Sequence, residues 1–159
     1  MEVKMHIEGL KEMEKNLLAL GADLGARTLR SALRDSAKPL EDSMIASVPV
    51  YKEPHKVKIK GERVTVDPGF LKSKIKRRAS YNKRGRVTKK FGKNDVAVVQ
   101  VGAFGVPYVV QVEFGSKRNK AASFIRGAAS QTPRVINLFK TRLKRRTDLA
   151  VKRLARQKK

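Results

Sequence analysis

The chain has 159 residues, with 38 Lys or Arg against 14 Asp or Glu and a formal net charge of +24. Charge of one sign at that density works against a compact state by self-repulsion, so a polyanion or acidic protein surfaces are the expected company. The absence of cysteine excludes a disulfide framework, a thiolate zinc site and a cysteine nucleophile, and no run of about 18 apolar residues offers a membrane-spanning helix. The length suits one domain carrying extended arms.

Val3, Met5 and Ile7 alternate with Lys4, His6 and Glu8, a period of two that predicts a short strand. The same alternation is unlike a signal peptide. After Gly9, Leu10, Met13, Leu17 and Leu20 recur at helical spacing up to Gly21. Asp23 is a suitable N-cap for a longer helix lined by Ala26, Leu29, Leu33, Ala37, Leu40 and Met44. Pro39 falls in that line and predicts a kink or a split in two, and Pro49 closes the region. Residues 51–67 read as a β-hairpin or projecting arm: Val57 and Ile59, then Val64 and Val66, alternate with polar residues about a turn at Gly61.

Ile75, Arg77, Ala79 and Tyr81, and then residues 95–102, predict two strands joined by a basic loop over 82–94. The second strand is apolar on both faces, which points to a central position. Tyr108–Phe114 fits a strand by its β-branched content and a short helix by its length. A polar, basic loop follows from Gly115 to Ala122. Helical periodicity then runs from Phe124 to about Ala155, with Pro133 setting apart a short helix over 124–131. Beyond it Val135, Phe139, Leu143, Ala150 and Leu154 form one stripe with Thr147 in line, and nearly everything off the stripe is Lys or Arg, including the basic extension over 145–159. The elements sum to an α+β fold: a small mixed or antiparallel sheet packed against a long N-terminal helix and a C-terminal helix, with a projecting hairpin.

Little in the chain suggests chemistry. His6 and His55 are its two histidines, and neither has an evident carboxylate and nucleophile in company. No cluster of acids and histidines has metal-ligand spacing, and no phosphate-cradling glycine loop or dinucleotide fingerprint is present. No enzyme, cofactor or metal is expected. The basic clusters are the strongest physical signal: eleven Lys or Arg and no acid from Lys72 to Lys93, and fifteen from Gly115 to Lys159 against Asp148 alone. Phosphate backbones attract such surfaces without regard to sequence. The loop and helix hold too few aromatics to stack bases, so the surface suits a general electrostatic task. The C-terminal helix carries only Phe139 as an aromatic on its stripe, which favours core packing over a membrane surface. From the residues alone, Phe114 and Phe124 read as core aromatics flanking a loop, Gly115 as a positive-φ position and Glu113 as a surface acid.

One further pattern lies in the order of short motifs. Ile7-Glu8-Gly9-Leu10 leads into a helix, Val48-Pro49-Val50 ends the next, and Gly69, Leu71 and Lys72 open a basic strand. Pro107-Tyr108 is followed by Glu113-Phe114-Gly115-Ser116, and then by Phe124-Ile125-Arg126 and Ala128. This order resembles the tail-completion or head–tail joining (neck) proteins of long-tailed, double-stranded DNA bacteriophages, the gene-product-ten-like family. Two departures stand out. Residues 51–67 look like an insertion, and Ser123 and Gly127 stand where that family usually has prolines, which should loosen the start of the last helix.

The resemblance implies a structural virion protein, made in the host cytoplasm and assembled as a ring of six or twelve copies between the DNA-filled head and the tail. Its implied partners are copies of itself, neighbouring head-connector and tail-terminator or tail-tube proteins, and the genomic double-stranded DNA in the channel, with no membrane. Pro107, Tyr108, Glu113, Phe114, Gly115, Phe124 and Arg126 would serve the core or an interface. Lys83, Arg84, Arg86, Lys89, Lys90, Arg142, Lys144, Arg145 and Arg146 would face DNA or an adjacent ring. Charge alone also fits a non-specific nucleic-acid-binding protein of nucleoid- or ribosome-associated type, whereas a nuclease or toxin lacks its ligands and base.

Overall fold

Pro39 does break the first long helical line. A computed structural model describes residues 20, 22–59, 61–81, 97–117 and 119–157; the predicted N-terminal strand and first helix, and the basic loop 82–94, lie outside them. Helix α1 (Ala22–Ser36) stops one residue before α2 (Lys38–Ser47). Pro39 sits in the first turn of α2, where a missing N–H has no helical acceptor to lose. At the other end the Val48 N–H bonds to the Met44 carbonyl (2.9 Å) and the backbone turns extended, as a residue before proline must.

Strands β1 (His55–Ile59) and β2 (Glu62–Val66) form the antiparallel hairpin, in register from His55 opposite Val66 to Ile59 opposite Glu62. Of β2 only Val66 is buried, so the hairpin projects from its base. A Pro68-Gly69 turn, in which the Phe70 N–H bonds to the Asp67 carbonyl (3.1 Å), starts the single-turn helix α3 (Phe70–Ser73). Strand β3 (Ile75–Tyr81) pairs with β4 (Ala97–Ala103). The Phe104 N–H bonds to the Lys74 carbonyl (3.1 Å), which places the end of β4 beside the start of β3 and makes the pair antiparallel. Among the described residues β3 is the one strand that pairs with β4, and the residues of β4 are half-buried or exposed.

Tyr108–Phe114 resolves as a helix, α4 (Val109–Phe114), entered by a turn at Pro107-Tyr108. Two short elements follow, α5 (Phe124–Ala128) and a 3-10 turn (Ala129–Gln131), before α6 (Thr132–Gln157) with Pro133 in its first turn.

Contacts divide the described chain into two units. One, Ser36–Arg78 with Val99–Asn137, is built on a core of Met44, Val48, Leu71, Ile75, Val106, Val112, Phe124 and Ala128. Within it α2 packs on α5, and Glu41 ties α2 to β3: its Oε1 accepts from the Arg77 N–H (3.1 Å) and its Oε2 lies 2.6 Å from Arg77 Nε. The other unit contains α1 and most of α6, joined through Ala32 and Leu143 with Leu29 and Phe139 against them. Here Leu143 and Thr147 of the predicted α6 stripe are buried, and Phe139, Ala150 and Leu154 are half-buried. Thr147, fully buried in the stripe, donates its hydroxyl to carbonyls of its own helix, Leu143 (3.0 Å) and Lys144 (2.8 Å).

A buried glutamate clasp and an exposed aromatic

Glycine decides the geometry after α4. Gly115 has φ +83° and ψ 173°, a combination open essentially to glycine alone. A Cβ there would lie 3.0 Å from the Ala121 nitrogen and 3.2 Å from the Asn119 carbonyl oxygen. The turn lets the loop fold back on α4, so that the Ala122 N–H bonds to the Val112 carbonyl (2.9 Å) and the Ser123 N–H to the Glu113 carbonyl (3.2 Å). Those bonds set the start of α5 beside the end of α4.

The first turn of any helix leaves N–H groups without helical acceptors. Ser123, at the N-cap of α5, makes no side-chain cap of its own. Glu113 supplies it from the preceding helix. Its Oε2 accepts from the Ile125 N–H (2.8 Å), and its Oε1 accepts from the Arg126 N–H (3.0 Å) and from Arg126 Nε (3.0 Å). The Arg126 Nη2 donates on to the Glu113 carbonyl (3.1 Å) and to the Ser123 hydroxyl (2.8 Å). Glu113 is therefore no surface acid: only 3% of it is exposed. Burial works against its charge, but the two backbone donors and the adjacent guanidinium outweigh that and hold the carboxyl below its ordinary 4.5.

Phe124, at the head of α5, is fully buried in the core. Phe114 is not, and its expected core placement is wrong. It is 62% exposed. The helical phase is the reason, because Val112 and Glu113 take the inward positions of α4, while Val110 and Phe114, four residues apart, share the outer face. Val110 is 66% exposed. The Arg126 guanidinium lies 4.6 Å from the Phe114 ring centre, so one cation serves both the buried carboxylate and the exposed ring. Pro107 and Tyr108 form the entry to α4, with Tyr108 packed on the core.

At the two departures from the motif pattern the backbone uses what proline lacks. Ser123 has φ +48°, which proline cannot adopt, and the Gly127 N–H bonds to the Ser123 carbonyl (2.8 Å), which proline could not do.

The basic candidates separate. Lys83, Arg84, Arg86, Lys89 and Lys90 lie outside the described residues. Arg146 is ion-paired with Asp35 of α1, and Arg142 Nη1 lies 3.9 Å from the same carboxylate; sequence periodicity, blind to α1, did not foresee this. Lys144 and Arg145 are exposed. Among the described residues no group of three or more acids and histidines could hold a metal ion, and no helix is long and apolar enough to cross a membrane.

The motif residues thus serve architecture: a cap, a turn, a core anchor and a displayed aromatic, on a small, strongly basic α+β structural module. A family model described as "Bacteriophage HK97-gp10, putative tail-component" matches residues 11–115. The chain belongs to this HK97-gp10-like family of phage tail components, a structural class found in the virion. The match takes in Pro107, Tyr108, Glu113, Phe114 and Gly115 and stops short of Phe124–Ala128, which the structure joins to them through the clasp. No curated protein and no solved structure matches the chain.

Proposed function

We propose that the protein is a neck component that forms a ring of six or twelve copies where the phage head meets the tail, surrounds the DNA channel and performs no catalysis. The observation that carries this reading is the Val110–Phe114 face. In a tail-component family, two large apolar side chains stand outward on a helix whose inner side is fixed by the buried Glu113 carboxylate. An isolated chain gains nothing from that exposure, whereas a head-to-tail contact between copies would cover it, and such contacts close into rings when the rotation permits. Copies at +24 repel one another. A ring therefore needs counter-charge, which duplex DNA in the channel and acidic surfaces on head-connector, tail-terminator or tail-tube proteins would provide. The basic residues of 82–94 and, on α6, the exposed Lys144 and Arg145 would supply charge for that purpose.

The test is Phe114→Glu in the phage. The isolated variant should melt like the unaltered chain, because the position is exposed, yet infected cells should accumulate filled heads and tails that do not join. Normal yields of joined particles with this variant would reject the Phe114 interface. Particles lacking density for the protein at the collar would reject the neck assignment altogether.

A further inference from the structure

Between the hairpin and α4 lies a groove of about 730 Å³. Its walls include Tyr51, His55, Lys56, Lys58, Tyr108 and Lys117, and no carboxylate lines it among the described residues. Two features say what it would hold. First, all four residues from His55 to Lys58 line the groove. Alternate side chains leave a strand on opposite faces, so a groove touched by four in succession runs along the strand's edge. That edge of β1 has no strand partner among the described residues, since β1 pairs only with β2. Second, three exposed lysines, Lys56, Lys58 and Lys117, stand in its wall with no carboxylate beside them among the described lining residues.

We propose that this groove receives an extended acidic segment of a partner protein, paired as an added strand on the outer edge of β1, with its carboxylates at Lys56, Lys58 and Lys117. Main-chain bonds to a strand edge give such complexes affinity, and side-chain pockets give them selectivity. Five added residues would cover about 17 Å, the length of β1. Two nucleic-acid alternatives fit less well. Duplex DNA carries its phosphates on a convex rod, which a broad basic face meets better than a groove does. A single strand would need open aromatic faces for its bases, but Tyr51 packs against His55 with ring centres 4.6 Å apart, and His55 meets Tyr108 at 5.9 Å. The inference goes beyond the ring proposal and does not require it.

The experiment titrates the full chain with a short capped peptide of alternating glutamate and threonine, at physiological ionic strength, following amide resonances and heat. The expected result is perturbation centred on the Lys56–Lys58 amides, with affinity about tenfold weaker for the matching glutamine peptide and for a Lys56→Glu, Lys58→Glu, Lys117→Glu variant. A variant with the same charge change on α6, Lys144→Glu with Arg145→Glu and Lys152→Glu, should bind as the unaltered chain does. Lys117→Glu alone, on an exposed loop, guards against misfolding of the triple variant and should weaken binding measurably. Equal losses in both triple variants would reduce the effect to bulk charge and overturn the proposal. Perturbation centred elsewhere would overturn it too, as would tighter occupation of the same amides by duplex DNA or oligothymidylate.

Discussion

Removing the Glu113 carboxylate is the most direct assay of the clasp. In Glu113→Ala the N–H groups of Ile125 and Arg126 lose their acceptor, and the side chain that supplied it is only 4% exposed. A fully buried backbone donor left unpaired costs about 1–3 kcal/mol, so these two part-buried ones cost at most about 2–6. The carboxylate no longer has to be desolvated, which offsets part of that. Arg126 is 55% exposed and regains water, so its lost partner adds little. The net expectation is about 3 kcal/mol, or a Tm lower by about 6–12 °C in a chain of this size. Glu113→Gln keeps one acceptor oxygen and should lose about half as much.

The pH dependence has a definite sign. The Glu113 carboxyl is held below its ordinary 4.5 when folded, so its ionised form stabilises the fold above that value, and the contribution fades as pH falls through the depressed folded value. Melting curves from neutral pH downward should therefore show the gap between the unaltered chain and Glu113→Gln narrowing below 4.5. A Glu113→Ala protein melting within about 1 °C of the unaltered chain would refute the reasoning, as would a gap that widens in acid.

The two phenylalanines should respond oppositely to truncation. Phe124→Ala empties a fully buried core site and should cost about 3–5 kcal/mol, whereas Phe114→Ala, on the surface, should stay within about 1 kcal/mol. Equal losses in urea unfolding would contradict the inward and outward assignment of the pair. Gly115→Ala must adopt a glycine-only backbone conformation and place a methyl 3.0 Å from the Ala121 nitrogen; a loss of about 2–3 kcal/mol is expected, and unchanged unfolding would show that the turn relaxes freely.

Elements with a strong local signature were legible in the sequence. Pro39 gave the split between α1 and α2, Pro133 the separation of α5 from α6, and alternation about Gly61 the hairpin. The α6 stripe announced its packed face by spacing alone. Tyr108–Phe114 was ambiguous because seven residues show less than two helical turns, and valine favours strand locally. The same shortness hid the phase of α4, so a phenylalanine beside valines read as core while the adjacent acid read as surface. The true arrangement has them exchanged. Glu113 is buried because its partners arrive twelve and thirteen residues later, brought back by the turn at Gly115, and no local period encodes that return. The motif order located the residues that matter, but not which of them faces inward.

The hydroxyl of Thr147 closes its hydrogen bonding within α6. The helix therefore presents no free hydroxyl hydrogen at this position, and nothing across from it has to accept one. At Leu143 the fit is a question of contour, with the bare methyl of Ala32 admitting it, while the directional contact of that seam is the Arg146–Asp35 ion pair. Kindred chains could vary the opposing surface widely, provided its bumps and hollows still mesh.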